Sequence, residues 1–293
     1  MIMKKSILIL ILSFYTLNLS CQTFTNYTSN DGLASDFVEC IAVDIYDNIW
    51  FGTSSGIQMF DGINWTLYTI SDFNGLITNN IKVITAASNG DIYIGTDFGA
   101  SKFDGSNWST FNTNSQVLSI DEDPSGGVWI GTNQGVEHFD GLSWTYYSSP
   151  DLHWSGVNAT AFDSNGDTWL ASPLGGITHF NGIDFTTYDT ANGLLSQVVT
   201  DLIIDNQDNK WIGNYSGISV LDASNLSYTH HTKMYLMPPP DTLNPVVNIE
   251  IDSWGRIWTS IYVDYLAQGA IAFWNGSEWQ DYDVNDGLAG PNV

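Results

Sequence analysis

One phrase returns six times along this chain, and that recurrence limits the fold more than any other feature. Its clearest copy is "NIWFGTSSGIQMFDGINWTLYT" at 48–69. "DIYIGTDFGASKFDGSNWSTF" (91–111) and "GVWIGTNQGVEHFDGLSWTYY" (127–147) follow it closely. "DTWLASPLGGITHFNGIDFTTY" (167–188) and "NKWIGNYSGISVLDASNLSYT" (209–229) are looser, and "RIWTSIYVDYLAQGAIAFWNGSEWQDY" (256–282) carries an insertion. The anchor aromatics Trp50, Tyr93, Trp129, Trp169, Trp211 and Trp258 recur every 36–47 residues. A period of this length marks one supersecondary unit per copy, stacked on its neighbours.

Each copy divides into four short strands. An apolar strand a, such as "ECIAVD" (39–44) or "VVTDLIID" (198–205), leads through a polar turn to strand b with the anchor aromatic. Gly-Thr and a second glycine lead to strand c. Asp61-Gly62, Asp104-Gly105, Asp140-Gly141, Asn181-Gly182 and Asn275-Gly276 then turn into strand d, since both residue types tolerate positive φ. Four antiparallel strands in about 40 residues make one blade of a β-propeller. The fold class is therefore all-β, with blades at about 38–70, 81–111, 116–147, 157–188, 198–229 and 246–282. Nine of the 12 tryptophans fall on strands b or d, where broad flat rings fill the space between stacked sheets, so these rings read as packing rather than as ligand contacts.

The motif "NIWFGTSSGIQMFDGINWTLYT", with "GLASDFVECIAVD" before it, resembles the two-component regulator propeller repeat, over about residues 23–293. That resemblance implies a propeller of the kind found in extracytoplasmic parts of Bacteroidetes sensor kinases and in secreted or surface proteins. It implies no activity, because the shared residues are packing and turn residues. The "GH…WD" signature of WD repeats is absent, and so are catalytic histidines like those of propeller lyases related to streptogramin lyase.

The two ends echo one another. "NDGLASDFV" (30–38) and "NDGLAGPNV" (285–293) match at six of nine positions. "TFTNYT" (23–28) reads as a strand d without its own a, b and c. Residues 283–293 read as the start of a further repeat. The expectation is six blades of an incomplete seven-blade ring; its rival is a closed six-blade ring.

"MIMKKSILILILSFYTLNLSCQ" has two lysines, a short apolar run and a small-residue exit, the pattern of a secretory signal over 1–21. Leu-Ser-Cys also resembles the end of a lipobox, which would make Cys21 a lipidation site. No later stretch approaches the roughly 18 apolar residues of a spanning helix. A secreted, surface or periplasmic location follows. Cys40 alone stays securely in the mature domain, so no internal disulfide supports the fold, and Cys40 reads as a small buried hydrophobe. The formal charge is −25, from seven basic and 32 acidic residues. Such a field repels phosphate backbones and excludes nucleic acid as a partner. Carbohydrate or a protein ligand remains, with the chain a monomer or part of a longer one.

Candidate binding residues are those that break the repeat near the channel mouth, where the d-to-a and b-to-c connections gather. His153 and Trp154 lie in "SSPDLHWSGVN", Tyr215 in "NYSG", and Tyr262, Asp264 and Tyr265 in "IYVDYLAQG". Asp97 and Phe98 occupy the matching place in the second copy. Aromatic and carboxylate groups there suit a carbohydrate or a cation. The turn aspartates, among them Asp44, Asp121, Asp123, Asp163 and Asp205, read as caps of their own backbone. His138 and His179 share a strand-c position with Met59 and Lys102, and no metal site or cofactor is expected. The reading is an extracytoplasmic, non-enzymatic propeller that binds a glycan or surface protein, or senses for a signalling system. A secreted lyase or hydrolase at the channel mouth is the alternative.

Overall fold

The computed structural model describes residues 25–71, 75–111, 113, 115–148, 152, 154, 156–235, 244–263 and 268–288. Within them the chain forms six four-stranded antiparallel sheets, each built from consecutive strands. Sheet one holds β1 (Val38–Val43), β2 (Ile49–Thr53), β3 (Gly56–Phe60) and β4 (Trp65–Tyr68). Sheet two holds β5 (Ile81–Ala86), β6 (Ile92–Thr96), β7 (Gly99–Phe103) and β8 (Trp108–Phe111). Sheet three holds β9 (Val117–Glu122), β10 (Val128–Thr132), β11 (Val136–Phe139) and β12 (Trp144–Tyr147). Sheet four holds β13 (Ala159–Phe162), β14 (Thr168–Ser172), β15 (Gly176–Phe180) and β16 (Phe185–Tyr188). Sheet five holds β17 (Val199–Ile204), β18 (Lys210–Asn214), β19 (Gly217–Leu221) and β20 (Tyr228–His231). Sheet six holds β21 (Val246–Ile251), β22 (Ile257–Val263), β23 (Gln268–Trp274) and β24 (Trp279–Tyr282). This is a propeller of six four-stranded blades, as the repeat predicts.

A single hydrophobic core would not fit this plan, and five separate ones form, each between two neighbouring sheets. One sheet contributes its anchor aromatic, the next its inner-strand aliphatic. Trp50, for example, packs with Ile81, Ile84, Ile92 and Phe103 of sheet two. The glycine after the anchor permits the approach: a Cβ on Gly52 would stand 2.8 Å from the Ile81 side chain.

The anchors are also hydrogen-bonded. Trp50, Trp169, Trp211 and Trp258 donate their indole N–H to Asp44, Asp163, Asp205 and Asp252, at 2.8–3.1 Å. The other oxygen of each aspartate accepts backbone N–H groups of its own turn, as at Tyr46 and Asn48. These four turn aspartates thus cap backbone, and each also fixes its anchor ring. Asp121 departs from that reading: it lies in β9, not in the turn. Cys40 is a free thiol, partly rather than fully buried, against the first core. Burial, and then the charge of Glu39, push that thiol up to about 12.

The inner strands follow one another around a channel: β1 beside β5, then β9, β13, β17 and β21. β21 and β1 do not pack together in this way. The consequence shows at one position. Ile84, Ile120, Thr160, Leu202 and Ile249 are 1–7% exposed, each covered by the preceding sheet. Their counterpart Ile41 is 58% exposed, as is Val43 beside it.

Candidate functional site

Register places the long d-to-a loops and the short b-to-c turns at one end of the propeller, since the start of each inner strand pairs with the end of its neighbour, as Val38 does with Thr53. Of the sequence candidates, Trp154, Tyr215 and Phe98 are exposed at this end. Trp154 lies over the turn of its own sheet, against Gly175. Tyr215 and Phe98 stand on the b-to-c turns of sheets five and two. Tyr262 is half-buried in β22, its N–H bonded to the Pro245 carbonyl at 3.2 Å. Asp97 is a clamp. One carboxylate oxygen accepts the Asn80 amide at 2.9 Å and the other the Gln116 amide at 3.0 Å, tying the loops before β5 and β9. His153, Asp264, Tyr265 and Cys21 lie outside the described residues. The described candidates share one end of the molecule, and none of them lines the central channel.

That channel, of about 1210 Å³, is lined by all six inner strands. Its wall carries three carboxyl groups: Asp121 on β9, which the sequence reads as a turn cap, and Asp201 on β17 and Glu250 on β21, which the sequence reading did not single out. Desolvation raises all three. Asp121 is pushed up to about 8, by burial first and then by the charges of Asp201 and Glu250. Asp201 is pushed up to about 7 by burial, against the backbone N–H groups of Ile249 and Leu202, which it accepts at 2.6 and 2.8 Å. Glu250 is raised as well, by its partial desolvation in the channel wall, although its side chain is exposed to channel water. The channel is thus a place where a carboxyl takes or gives a proton near neutral pH. β-Bulges at Val199/Asp201 and Val246/Asn248 shift the strand phase there, so the period-two pattern of the sequence could not show which side chains reach the channel.

The far end carries carboxylate–imidazole pairs. His138 bonds Asp123 and His179 bonds Asp167, each at 2.8 Å, and each imidazole stacks on its anchor indole at 4.3–4.4 Å. Lys102 does the same with Asp91 and Tyr93. The variable strand-c position is therefore the lid of the anchor ring. Ligand atoms of Asp163, Asp167 and His179 come within 4.8 Å of one another. Asp163 already accepts the Trp169 indole and the N–H groups of Asn165 and Asp167, and Asp167 accepts the His179 ring. Proton donors thus face these oxygens.

Residues 32–55 and 111–134 match the family model described as two component regulator propeller. Two short segments of the chain thus match that repeat. A search of curated protein sequences finds no match. Among solved structures, this propeller is similar to the extracellular domain assigned to a hybrid two-component system of B. thetaiotaomicron, with 20% identity and a TM-score of 0.75, over 89% of this chain and 36% of that one. The chain thus spans about a third of that relative's length. It is also similar to a catalytically inactive virginiamycin B lyase from Staphylococcus aureus solved with quinupristin, with 15% identity, a TM-score of 0.67 and 86% of both chains covered. A third likeness is to PorZ, a bacterial surface component of the type-IX secretion system of Porphyromonas gingivalis, with 17% identity, a TM-score of 0.57, and 76% and 37% covered. At these identities what is shared is the fold. No helix among the described residues is long and apolar enough to cross a membrane.

Proposed function

We propose that this regulator-type propeller is the binding part of an extracytoplasmic sensory system, non-enzymatic, and that its loop end takes a neutral, hydroxyl-rich ligand such as a glycan. The observation that carries this reading is the set of exposed aromatic rings, Phe98, Trp154 and Tyr215, at the end where the loops gather. Aromatic faces stack on the apolar faces of sugar rings, and a site of strong negative field favours a neutral ligand over an anionic one. The repeat family and the likeness to a sensor's extracellular domain support the sensory role.

Titration of the intact protein with a panel of neutral oligosaccharides, followed by calorimetry, tests the proposal. At least one sugar is expected to bind. Trp154→Ala should weaken that binding about tenfold, the value of one lost aromatic stack, with an unchanged melting temperature. No binding across the panel, or binding indifferent to Trp154→Ala and Tyr215→Ala together, overturns it. The likeness to a lyase over 86% of both chains favours one second reading, a secreted lyase or hydrolase. New products in the same mixtures, seen by mass spectrometry, would establish that reading instead.

A further inference from the structure

At the end away from the long loops, neighbouring sheets are tied through their a-to-b turns. Where sheet two meets sheet three, the Ser88 N–H donates to Glu122 at 2.7 Å. Where sheet four meets sheet five, the Ser164 N–H donates to Asp208 at 2.9 Å, and the Ser164 hydroxyl donates to the other oxygen of that carboxylate. Between sheets three and four both parts of this tie are replaced. The place of Ser88 and Ser164 is held by Pro124, which has no N–H, and the place of Asp208 by Gly166, which has no side chain.

A second departure lies beside the first. The residue that opens strand b faces the anchor ring of the preceding sheet. Ile92 shares a core with Trp50, Val128 with Tyr93 and Ile257 with Trp211. Lys210 instead sets its ammonium 4.7 Å over the Trp169 ring, where the Asn225 side-chain oxygen accepts it at 2.8 Å. Against Trp129 the residue is Thr168, shorter than Ile or Lys and polar where Val128 is not. A cavity of about 590 Å³ opens there. Trp129, Tyr147 and Phe180 give it an apolar wall, and Asp123, His138 and Asp167 a polar one.

Two buried polar groups line this cavity without a partner. The Trp129 indole N–H and the Thr168 hydroxyl make no hydrogen bond among the described residues, although the two residues are 3% and 4% exposed. Such groups are rare in a folded interior. At Trp129 the cause is Asp123: the oxygen that would take the indole takes the His138 ring. Asp167 gives one oxygen to His179, and its other oxygen accepts nothing among the described residues. Sheet four supplies the comparison. His179 and Tyr188 lie 4.4 and 5.6 Å from Trp169, as His138 and Tyr147 lie 4.3 and 5.9 Å from Trp129. The two settings differ in the ammonium, which Lys210 brings to Trp169 and Thr168 cannot bring to Trp129.

We propose that the cavity between sheets three and four binds a small organic amine, its ammonium over the Trp129 ring as that of Lys210 lies over Trp169, and paired with Asp167. An oxygen next to the amine accepts the Trp129 N–H, and the Thr168 hydroxyl bonds the same ligand. This is the chemistry of an amino alcohol, as in a 2-amino sugar. The formal charge of −25 draws such a cation to the protein. The site lies at the opposite end from Phe98, Trp154 and Tyr215 and does not depend on the reading given to those rings.

Calorimetric titration of the intact protein tests this, at roughly 0.15 M salt so that surface attraction is screened. The probes are glucosamine, N-acetylglucosamine and glucose, of which only the first carries an ammonium. Glucosamine should bind about tenfold tighter than either of the others, the value of one buried cation–π contact. Thr168→Lys supplies the ammonium from the chain itself and should abolish binding. Thr168→Ile, which restores the aliphatic of the other interfaces, should abolish it too, with no fall in melting midpoint. Asp167→Asn should weaken binding about tenfold with the cavity still open, and Trp154→Ala should leave it unchanged. No binding of glucosamine overturns the proposal. So does equal binding of the three sugars, or binding that survives either Thr168 variant.

Discussion

Trp169→Ala is expected to lower the unfolding free energy by about 3–5 kcal/mol, the range for emptying the site of a buried tryptophan. Trp169 is fully buried, and four kinds of contact converge on it. His179 stacks on one side of the indole at 4.4 Å, and Tyr188 lies 5.6 Å away. The Lys210 ammonium stands 4.7 Å over the ring, itself almost wholly buried. The indole N–H satisfies Asp163 at 3.1 Å. Alanine removes the ring, leaves a carboxylate oxygen short of a donor, and strips a buried ammonium of its π face. Sheets four and five meet at this ring, so the loss falls on an interface rather than on a loop. Trp254→Ala is the comparison: that ring is exposed, and its removal should change stability by about 0.5 kcal/mol or less. Urea denaturation of the three proteins measures both.

A second large effect lies in pH. Asp121 and Asp201 are raised to about 8 and about 7 from an ordinary 3.8. Between those limits the folded state holds protons that the unfolded chain has released. Stability therefore falls as pH rises from about 4 to 8, and levels beyond. The turn carboxylates work in the opposite sense. At Asp252, burial opposes ionisation, but donors from Trp258 and Arg256 outweigh it and lower the group to about 2. Stability of that origin is present above pH 4 and lost as the solution becomes more acid. In salt high enough to screen the −25 surface charge, the melting midpoint should drop from pH 5 to pH 8.5 by on the order of 5 °C, a figure reduced because the carboxyls face channel water. Asp121→Asn with Asp201→Asn should flatten this slope, since asparagine keeps an acceptor for the Ile249 N–H and cannot ionise. An unchanged slope in the double variant would remove the channel carboxyls from the explanation.

The plan of the fold was legible because the repeat writes it six times. Anchor spacing, the Gly-Thr step and the Asp-Gly hairpins specify strands, turns and their order. Chemistry specific to one site was harder to read. Asp201 sits inside "VVTDLIID", where it reads as an interruption of an apolar strand; in the structure it stands beside a bulge on the channel wall. Asp121 stands two residues from a turn aspartate and looks like one. His138 and His179 hold positions that Met59 and Lys102 also occupy, so the sequence shows a tolerant site. Contact with the anchor ring, and with a carboxylate 15 or 12 residues away, appears only in three dimensions. Trp154 and Tyr215 were legible as exceptions to the repeat and are exposed, but no spacing rule says which way a loop aromatic points.

The account rests most on one claim: sheets are held face to face by their neighbours, and the first sheet lacks one. Ile41 and Leu202 occupy the same place in sheets one and five and differ in exposure, 58% against 2%. Serine at each, compared by urea unfolding, tests the claim most directly. Leu202→Ser should cost about 3 kcal/mol or more, and Ile41→Ser about 0.5 kcal/mol or less. Equal losses at the two positions would contradict it, because they would mean that sheet one is covered as the others are.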